Sequence, residues 1–408
     1  MRHNPALRDG HQIRLIEGGQ DYFEALVAAL DQARSHVLLE TYIFDLHGAA
    51  VRVAEALERA ALRGVRVWLV VDGVGTPQLP EVWRTRFAHA GVDWRIYAPL
   101  GTLGLLIPSR WRRLHRKLCV VDGHTAFCGG INILDDWYDP HHGNLPQPRL
   151  DFAVSAQGEL VGRIQDSMSQ LWWRLQGAKN ARERKIPQAL HSFITAGLPL
   201  PWKPPLPLPD GSPPPSRAAL LLRDNVLHRT QIERAYRKAI GLARHEVLIA
   251  NAYFLPGRRL RQALVHAARR GVRVRLLLQG RYEYFMQYHA ARPVYGTLLD
   301  AGVEIYEYNA SFLHAKVAVV DPDNERPWAT VGSSNLDPLS LLLAREANVV
   351  VADRQFAQQL HRRLIQVIAS QSTPVLAAFG QRLWHQRLRD RLAFGLMRMA
   401  LFLTGHRY

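Results

Sequence analysis

Cysteine is scarce in this 408-residue chain, which contains only Cys119 and Cys128. So few cysteines exclude a disulfide-rich secreted scaffold and are compatible with a reducing compartment. The first fifteen residues lack the apolar core of a signal peptide, and they lack an uncharged stretch of the roughly 18 residues that could span a bilayer. We therefore expect a chain that is made and kept in the cytoplasm.

Acidic side chains are also few. The chain has 35 Asp and Glu against 52 Lys and Arg, so its formal net charge is +17. Such a field attracts polyanions, either nucleic acid or an acidic lipid surface, and does not choose between them. Apolar residues make up 48% of the chain and charged residues 21%, which leaves little room for extensive disorder. The length suits two domains of ordinary size.

Proline is concentrated in one place, with nine prolines between Pro199 and Pro215. Missing amide donors and fixed φ angles prevent a continuous helix or central strand there. The segment 199–216 is therefore predicted to be a linker. It separates a first lobe, 1–198, from a second lobe, 217–370, which a basic amphipathic C-terminal segment, 371–408, follows.

The two halves repeat the same short patterns in the same order. The sequence Arg-Gly-Val-Arg-Val occurs at 63–67 and at 270–274, Ala-Gly-Val occurs at 90–92 and at 301–303, and 33–39 matches 243–249. Each unit reads as an apolar-striped helix, a glycine stop and a short β-branched strand. The chain is thus predicted to be α/β, with two similar lobes in which a mixed β-sheet is flanked by helices.

A polar signature, His-x-Lys-x4-Asp, interrupts an apolar stretch in each half. Alternation along a strand places the His and Lys side chains on one face. A small-residue stretch ending in Asn follows, where glycine allows close backbone approach, and an acid comes later. The residues concerned are His115, Lys117, Asp122, Gly130, Asn132 and Asp151 in the first half, and His314, Lys316, Asp321, Ser333, Asn335 and Glu346 in the second.

These paired motifs resemble those of the phospholipase D superfamily, and the resemblance covers nearly the whole chain. Within that superfamily the chain is most similar to the bacterial cardiolipin synthases of the B group, since it is compact and has no N-terminal membrane spans. The resemblance implies two phospholipase D-type lobes related by a pseudo-twofold axis, with the active site at their interface. It also implies an enzyme that needs no cofactor and no metal.

Attack on a phosphodiester needs a nucleophile, a proton for the leaving alkoxide and positive groups near the phosphoryl oxygens. Imidazole can serve as nucleophile or as acid, and we assign His115 to the first role and His314 to the second. Lys117, Lys316, Asn132 and Asn335 are expected to hold the phosphoryl oxygens. Asp151 and Glu346 are candidates for orienting the imidazoles, whereas Asp122 and Asp321, each at a strand end, are expected to hold local structure.

The expected reaction is transfer of a phosphatidyl group between two phosphatidylglycerol molecules through a phosphohistidine, giving cardiolipin and glycerol. The partners would be this anionic phospholipid and the cytoplasmic side of the cell membrane, bound peripherally, with no nucleic acid. Two features favour lipid, an apolar loop at Pro99–Pro108 and a basic aromatic segment at Gln381–Leu403 suited to an anionic interface. Either could instead pack on the body of the protein.

Two alternatives remain open at this point. A phospholipase D-type hydrolase or nuclease would act on other phosphodiesters with the same motifs. A catalytically inactive membrane adaptor is disfavoured because both motifs are intact. The sequence does not indicate the acceptor alcohol or the oligomeric state.

Overall fold

A computed structural model describes residues 5–101, 108–140, 142–198, 215–224, 228–281, 285–337, 343–375, 388–390, 392 and 395. Most of the proline-rich linker, the interior of the Pro99–Pro108 loop and most of the C-terminal segment therefore lie outside the described residues. The predictions made for these three segments stay predictions.

The first lobe alternates strands and helices as the repeated helix, glycine and strand pattern predicts. Its helices are α1 (Gly18–Asp31), α2 (Val51–Leu62), α3 (Glu81–Ala90), α4 (Glu159–Arg182) and α5 (Ile186–Thr195). Its strands are β1 (Arg8–Glu17), β2 (His36–Thr41), β3 (Arg66–Asp72), β4 (Asp93–Tyr97), β5 (Arg113–Leu114), β6 (Lys117–Val121), β7 (Thr125–Gly129), β8 (Tyr138–Asp139), β9 (Gly143–Asn144) and β10 (Phe152–Gln157).

The second lobe repeats this order. Its helices are α6 (Gln231–Leu242), α7 (Arg258–Arg269), α8 (Phe285–Leu299) and α9 (Arg354–Gln371). Its strands are β11 (Ser216–Arg223), β12 (Glu246–Asn251), β13 (Arg273–Gln279), β14 (Glu304–Tyr308), β15 (Lys316–Val320), β16 (Trp328–Gly332), β17 (Ala344–Ala352) and β18 (Ser372–Pro374). Strand β18 pairs with β14, so the second lobe's sheet continues past residue 370.

The sheets of the two lobes join into one. Strand β1 pairs with β11, and outward from that pair the order is β10, β7, β6, β2, β3, β4 on one side and β17, β16, β15, β12, β13, β14 on the other. The two series are matched strand for strand, which is the pseudo-twofold arrangement. The α/β prediction is confirmed, and the continuous sheet adds to it.

The apolar core has a shared part and two separate parts. The shared cluster combines strand residues of both lobes with the apolar faces of α4 and α9. A second cluster buries α1 to α3 against the first lobe's strands, and a third buries α6 to α8 against the second lobe's strands. Because one core belongs to both halves, the lobes hold each other's motif segments in position.

Glycines end the repeated helices as the sequence predicts. Gly64 and Gly271 follow α2 and α7 with φ of 86° and 87°, in the left-handed region that favours glycine. The strand that follows each glycine then runs in parallel beside β2 or β12. This geometry brings the carboxyl ends of these parallel strands to one edge of the sheet.

Candidate active site

Each motif histidine lies two residues before the start of a strand, not within it. The alternating pattern predicts that His and Lys share one strand, but β6 begins at Lys117 and β15 begins at Lys316. The backbone of each histidine is bonded to the other lobe instead, His115 N to the Arg345 carbonyl at 3.0 Å and His314 N to the Leu150 carbonyl at 2.9 Å. This cross-lobe bonding brings both histidines to the interface.

Each imidazole contacts an acid from the opposite half of the chain. His115 Nδ1 lies 3.0 Å from Glu346 Oε1, and His314 Nδ1 lies 2.6 Å from Asp151 Oδ2. Both carboxylates are buried. A buried carboxylate at Nδ1 fixes the orientation of the ring and leaves Nε2 for chemistry.

Both histidines line one cavity of about 420 Å³. Asn132, Asn335 and Asp151 line it too, so the cavity gathers predicted residues from both halves. The cavity is also lined by two other kinds of residue, apolar side chains and charged side chains. These are Ile43, Trp111, Leu134, Leu343, Arg113, Arg149, Asp136, Asp139 and Asp337, among others.

The motif lysines are buried beside their histidines. Lys117 Nζ donates to the His115 carbonyl oxygen at 2.6 Å, and Lys316 Nζ donates to that of His314. The pKa of Lys117 is lowered to about 7, mainly by burial. The positive charge of Lys316 acts in the same direction, and the negative charge of Glu346 opposes both. The positive charge of each lysine disfavours that of the other, so an anionic phosphoryl group bound beside the histidines would stabilise both in the charged form.

The two asparagines occupy matching positions after β7 and β16. Asn132 Oδ1 accepts a hydrogen bond from Ile43 N at 3.2 Å. Asn335 is buried, and its Oδ1 has no hydrogen-bond partner among the described residues. Both side chains reach the cavity, where an amide nitrogen can donate to a phosphoryl oxygen.

The small residues before the asparagines contact the buried acids. A Cβ added to Gly130 would lie 2.3 Å from Asp151 Oδ1, so the carboxylate occupies the space that a side chain would need. At the matching position Ser333 Oγ donates a hydrogen bond to Glu346 Oε2. Gly130 and Ser333 thus contact the acids that orient the histidines.

The motif aspartates lie at the far ends of β6 and β15, away from the cavity lining. Asp122 accepts hydrogen bonds from the backbone nitrogens of Arg34, Ser35 and His36 at 2.7 to 3.0 Å. Asp321 accepts three equivalent bonds, each of 2.8 Å, from residues 244–246. Each aspartate therefore ties the end of a motif strand to the start of its neighbour.

Burial sets the protonation behaviour of the histidine–acid pairs. It lowers the pKa of His115, which Glu346 partly opposes. It lowers the pKa of His314 more strongly, and the charges of Lys316 and Lys117 act in the same direction. Burial raises the pKa of Asp151 to about 7, so the His314–Asp151 pair retains a proton near neutrality.

Several residues that line the cavity lie outside the sequence motifs. Tyr42 and Tyr253 line the cavity just beyond β2 and β12, and the ring of Tyr42 lies 5.1 Å from that of His115. Arg113 Nη1 lies 3.0 Å from Asp72 Oδ1, and Arg149 is held by Asp139 at 2.6 Å. The signal that could have indicated the tyrosines is their place after the parallel strands of the repeat.

The fold and the two inward-facing histidines define a phosphodiester-transferring enzyme of the phospholipase D type. The signature described as "Cardiolipin synthase, PLD-like domain" matches residues 26–144 and again 236–368. The chain therefore belongs to the family of cardiolipin synthases with phospholipase D-like domains. The duplicated match confirms the repeat and the family that the motifs predict.

Individual relatives agree with this membership. Cardiolipin synthase B of Escherichia coli (strain K12) is 36% identical over 98% of this chain and 90% of the relative. Cardiolipin synthase A of Pseudomonas putida (strain GB-1) is 30% identical over 87% of this chain and 68% of the relative. The crystal structure of phosphatidylserine synthase from Haemophilus influenzae Rd KW20 shares the fold, with a TM-score of 0.67 at 12% identity over 95% of this chain and 93% of that one.

Among the residues that the structure describes, we find no helix of the length and apolarity needed to cross a bilayer.

Proposed function

We propose that this enzyme is a cardiolipin synthase, which transfers a phosphatidyl group from one phosphatidylglycerol to the glycerol head group of a second. The observation that carries the proposal is the pair of imidazoles, one from each half of the chain, that face a single cavity. The likeness to a synthase over 98% of the chain supports the choice of reaction. The products are cardiolipin and free glycerol.

The first half of the reaction forms a covalent intermediate. His115 Nε2 attacks the phosphorus of the donor lipid, and the bond between phosphorus and the head-group glycerol oxygen breaks. The leaving oxygen takes a proton from His314 Nε2 and departs as glycerol. Lys117 and Lys316 offset the negative charge that develops on the phosphoryl oxygens.

The second half reverses these roles. A hydroxyl of the second phosphatidylglycerol gives its proton to His314 and attacks the phosphorus. The bond between phosphorus and His115 Nε2 breaks, so the free imidazole is regenerated and cardiolipin forms. Each step exchanges one phosphoester or phosphoramidate bond for another, and no net charge is gained or lost.

The hydrogen bonds support different roles for the two histidines. A neutral His115 that donates its Nδ1–H to Glu346 presents a lone pair at Nε2, as a nucleophile requires. At the other pair, the proton retained with Asp151 at a pKa of about 7 leaves Nε2 of His314 protonated, whether the pair is written as imidazolium and carboxylate or as neutral partners. His314 is then the general acid.

The cavity walls support a lipid donor and a membrane site. Trp111, Leu134 and Leu343 form an apolar part of the wall beside the histidines, where the glycerol backbone and first methylenes of a lipid could lie. A net charge of +17 favours an anionic surface. We therefore place the enzyme at the cytoplasmic side of the cell membrane as a peripheral protein.

The test is incubation of the purified chain with phosphatidylglycerol vesicles, followed by mass spectrometry of the lipids. We expect cardiolipin and glycerol in equal amounts, with no cardiolipin from His115→Ala. The exposed His245 provides a matched control, and His245→Ala should retain full activity. Phosphatidic acid without cardiolipin would show a hydrolase, and cleavage of single-stranded oligonucleotides in place of lipid would show a nuclease.

A further inference from the structure

Helix α5 and the turn that follows it carry their large apolar side chains on the solvent side. Ile186, Leu190, Phe193, Ile194 and Leu198 are exposed at 63, 61, 47, 58 and 58% of their surface. The buried residues of this segment are small, namely Ala189, Ser192 and Ala196. A helix on the surface of a soluble protein normally has the opposite arrangement, with its large apolar residues buried.

The exposed residues form one continuous stripe. Ile186, Leu190 and Ile194 are spaced by four within α5, so they stack along one face of the helix, and the exposed Leu198 lies in the turn that follows it. The small residues allow α5 to approach α4 closely: Gly177 of α4 has no room for a side chain, because a Cβ there would lie 2.8 Å from the Phe193 ring. An exposed apolar stripe of this kind indicates a binding surface.

The tip of the α4–α5 hairpin is basic. Between residues 179 and 198 there are four basic residues, Lys179, Arg182, Arg184 and Lys185, and one acidic residue, Glu183. Lys185 pairs with Glu183 at 2.8 Å, whereas Arg182 and Arg184 form no ion pair with any described residue. Positive charge beside an apolar stripe is the combination that binds an anionic bilayer interface.

Tryptophans lie on the flank of the same hairpin. A cleft of about 650 Å³ between α5 and the edge of the sheet is lined by Trp68, Trp172, Trp173 and Arg95, with Gln188 and His191 of α5. Trp68 and Trp172 stack with ring centroids 5.7 Å apart. Trp172 is buried, so this stack packs α4 against β3 and holds the hairpin in place on the sheet.

We propose that the exposed stripe of α5 is the surface by which this enzyme docks on an anionic lipid bilayer, with the basic tip contacting lipid phosphates. This proposal rests on the proposed function only in so far as the substrate lies in a membrane. It differs from the membrane role that the sequence suggests for residues 381–403. In that region Asp390 is buried, with its Oδ1 2.7 Å from His289 Nδ1 of α8, so at least this residue faces the protein.

The first experiment is co-sedimentation of the full chain with phosphatidylcholine vesicles that contain or lack phosphatidylglycerol. The variant Leu190→Ser/Ile194→Ser should bind the anionic vesicles about a hundredfold more weakly, because each buried leucine or isoleucine contributes about a factor of ten. The control is Leu62→Ser/Leu242→Ser, which removes two residues of similar exposure, 61 and 69%, from other helices. Its binding should equal that of the unaltered chain.

The second experiment observes insertion directly. Cys119 and Cys128 are buried, so Leu190→Cys can be labelled selectively with an environment-sensitive dye. We expect a blue shift and quenching by spin-labelled lipid on anionic vesicles, and neither for a dye at Leu62→Cys. An unshifted dye at position 190, or unchanged sedimentation of the double serine variant, would overturn the proposal.

Two further measurements separate the possible failures. If the serine variant instead changes the sedimentation coefficient of the lipid-free protein, the stripe binds a second copy of the chain and the bilayer proposal is wrong. Turnover of detergent-dispersed phosphatidylglycerol by that variant should stay within about twofold of the unaltered chain, since no catalytic contact is lost. If the unaltered chain makes no cardiolipin yet binds vesicles through α5, the proposed reaction fails and the docking surface stands.

Discussion

The two lobes support the same catalytic geometry with different interiors. In the first lobe the residue between the motif His and Lys is Arg116, which is buried and forms an ion pair with Glu40 of β2 and a 2.6 Å hydrogen bond to Ser167 of α4. In the second lobe the matching residues are Ala315 and Ala250, both fully buried. The backbone is thus held by charge in one copy and by apolar packing in the other.

A second difference reaches the histidines themselves. Asp151 is short and fills the space beside Gly130, whereas the longer Glu346 is bonded by Ser333. The pKa of Asp151 is raised to about 7 by burial, which gives the His314 pair a proton to share. Both lobes thus carry the same histidine, lysine and buried acid while the surroundings of these residues differ, so the two histidines are not equivalent.

The sharpest way to break the near-symmetry is to remove each histidine in turn. His115→Ala should lose at least about 10⁴-fold in activity on any donor, because no covalent intermediate can form. His314→Ala should lose about 10² to 10⁴-fold on phosphatidylglycerol, yet release one equivalent of nitrophenolate from a phosphatidyl nitrophenyl ester, whose leaving group needs no proton. The measurement is a rapid-mixing burst assay with mass spectrometry of the trapped phosphohistidine.

The opposite pattern would exchange the two roles. If His115→Ala gives the burst and the phosphoryl group is found on His314, then the first lobe supplies the acid. Equal loss of the burst in both variants would contradict any division of roles. His245→Ala again serves as the control for an exposed histidine.

The role of the Arg116–Glu40 ion pair in the first lobe can be tested by replacing it with the alanines that the second lobe has at these positions. Arg116→Ala should lower the free energy of unfolding by about 3 to 5 kcal/mol, because it leaves the buried carboxylate of Glu40 without its partner. The double variant Arg116→Ala/Glu40→Ala copies Ala315 and Ala250 and should recover most of that loss. Urea unfolding followed by tryptophan fluorescence measures both.

A double variant less stable than Arg116→Ala would contradict this account. In that case the ion pair would stabilise the lobe beyond what apolar packing offers. Ser167→Ala, which removes the hydroxyl bonded to Arg116 Nη1, is the milder control and should cost about 1 to 2 kcal/mol.

Local sequence patterns predicted much of this fold. The pairing of residues that lie far apart in the chain could not be predicted from them. The glycine stops and β-branched runs give the α/β lobes because helix ends and strands are set by neighbouring residues. The motif also named both histidines and both acids, but the pair His314 and Asp151 is separated by 163 positions, so spacing alone cannot tell which acid orients which ring. Nor could it show that β1 and β11 join the sheets.

The strand boundaries illustrate the same limit. Alternation places His115 and Lys117 on one strand, yet the backbone of His115 bonds to Arg345 of the other lobe, and the strand starts only at Lys117. Arg116 reads as a filler within the motif, although its partner Glu40 lies 76 positions away and completes a buried ion pair. Contacts between residues far apart in the chain, within the first lobe for Arg116 and between the lobes for His115, decide these features, and the local alternation of residues does not encode them.

The smallest expected effect concerns pH and separates the two acids. Activity should fall above about pH 7, where the His314–Asp151 pair loses its proton and Lys117, whose pKa is also about 7, loses its charge. Asp151→Asn removes the negative charge that holds a proton on His314, so the alkaline limb should move to lower pH and activity at pH 8 should drop about tenfold further. Glu346→Gln should move the acidic limb, set by protonation of His115, because the loss of Glu346 lowers the pKa of that imidazole. Rate profiles of both variants on phosphatidylglycerol measure this, and an alkaline limb that stays in place in Asp151→Asn would contradict the assignment of His314 as the acid.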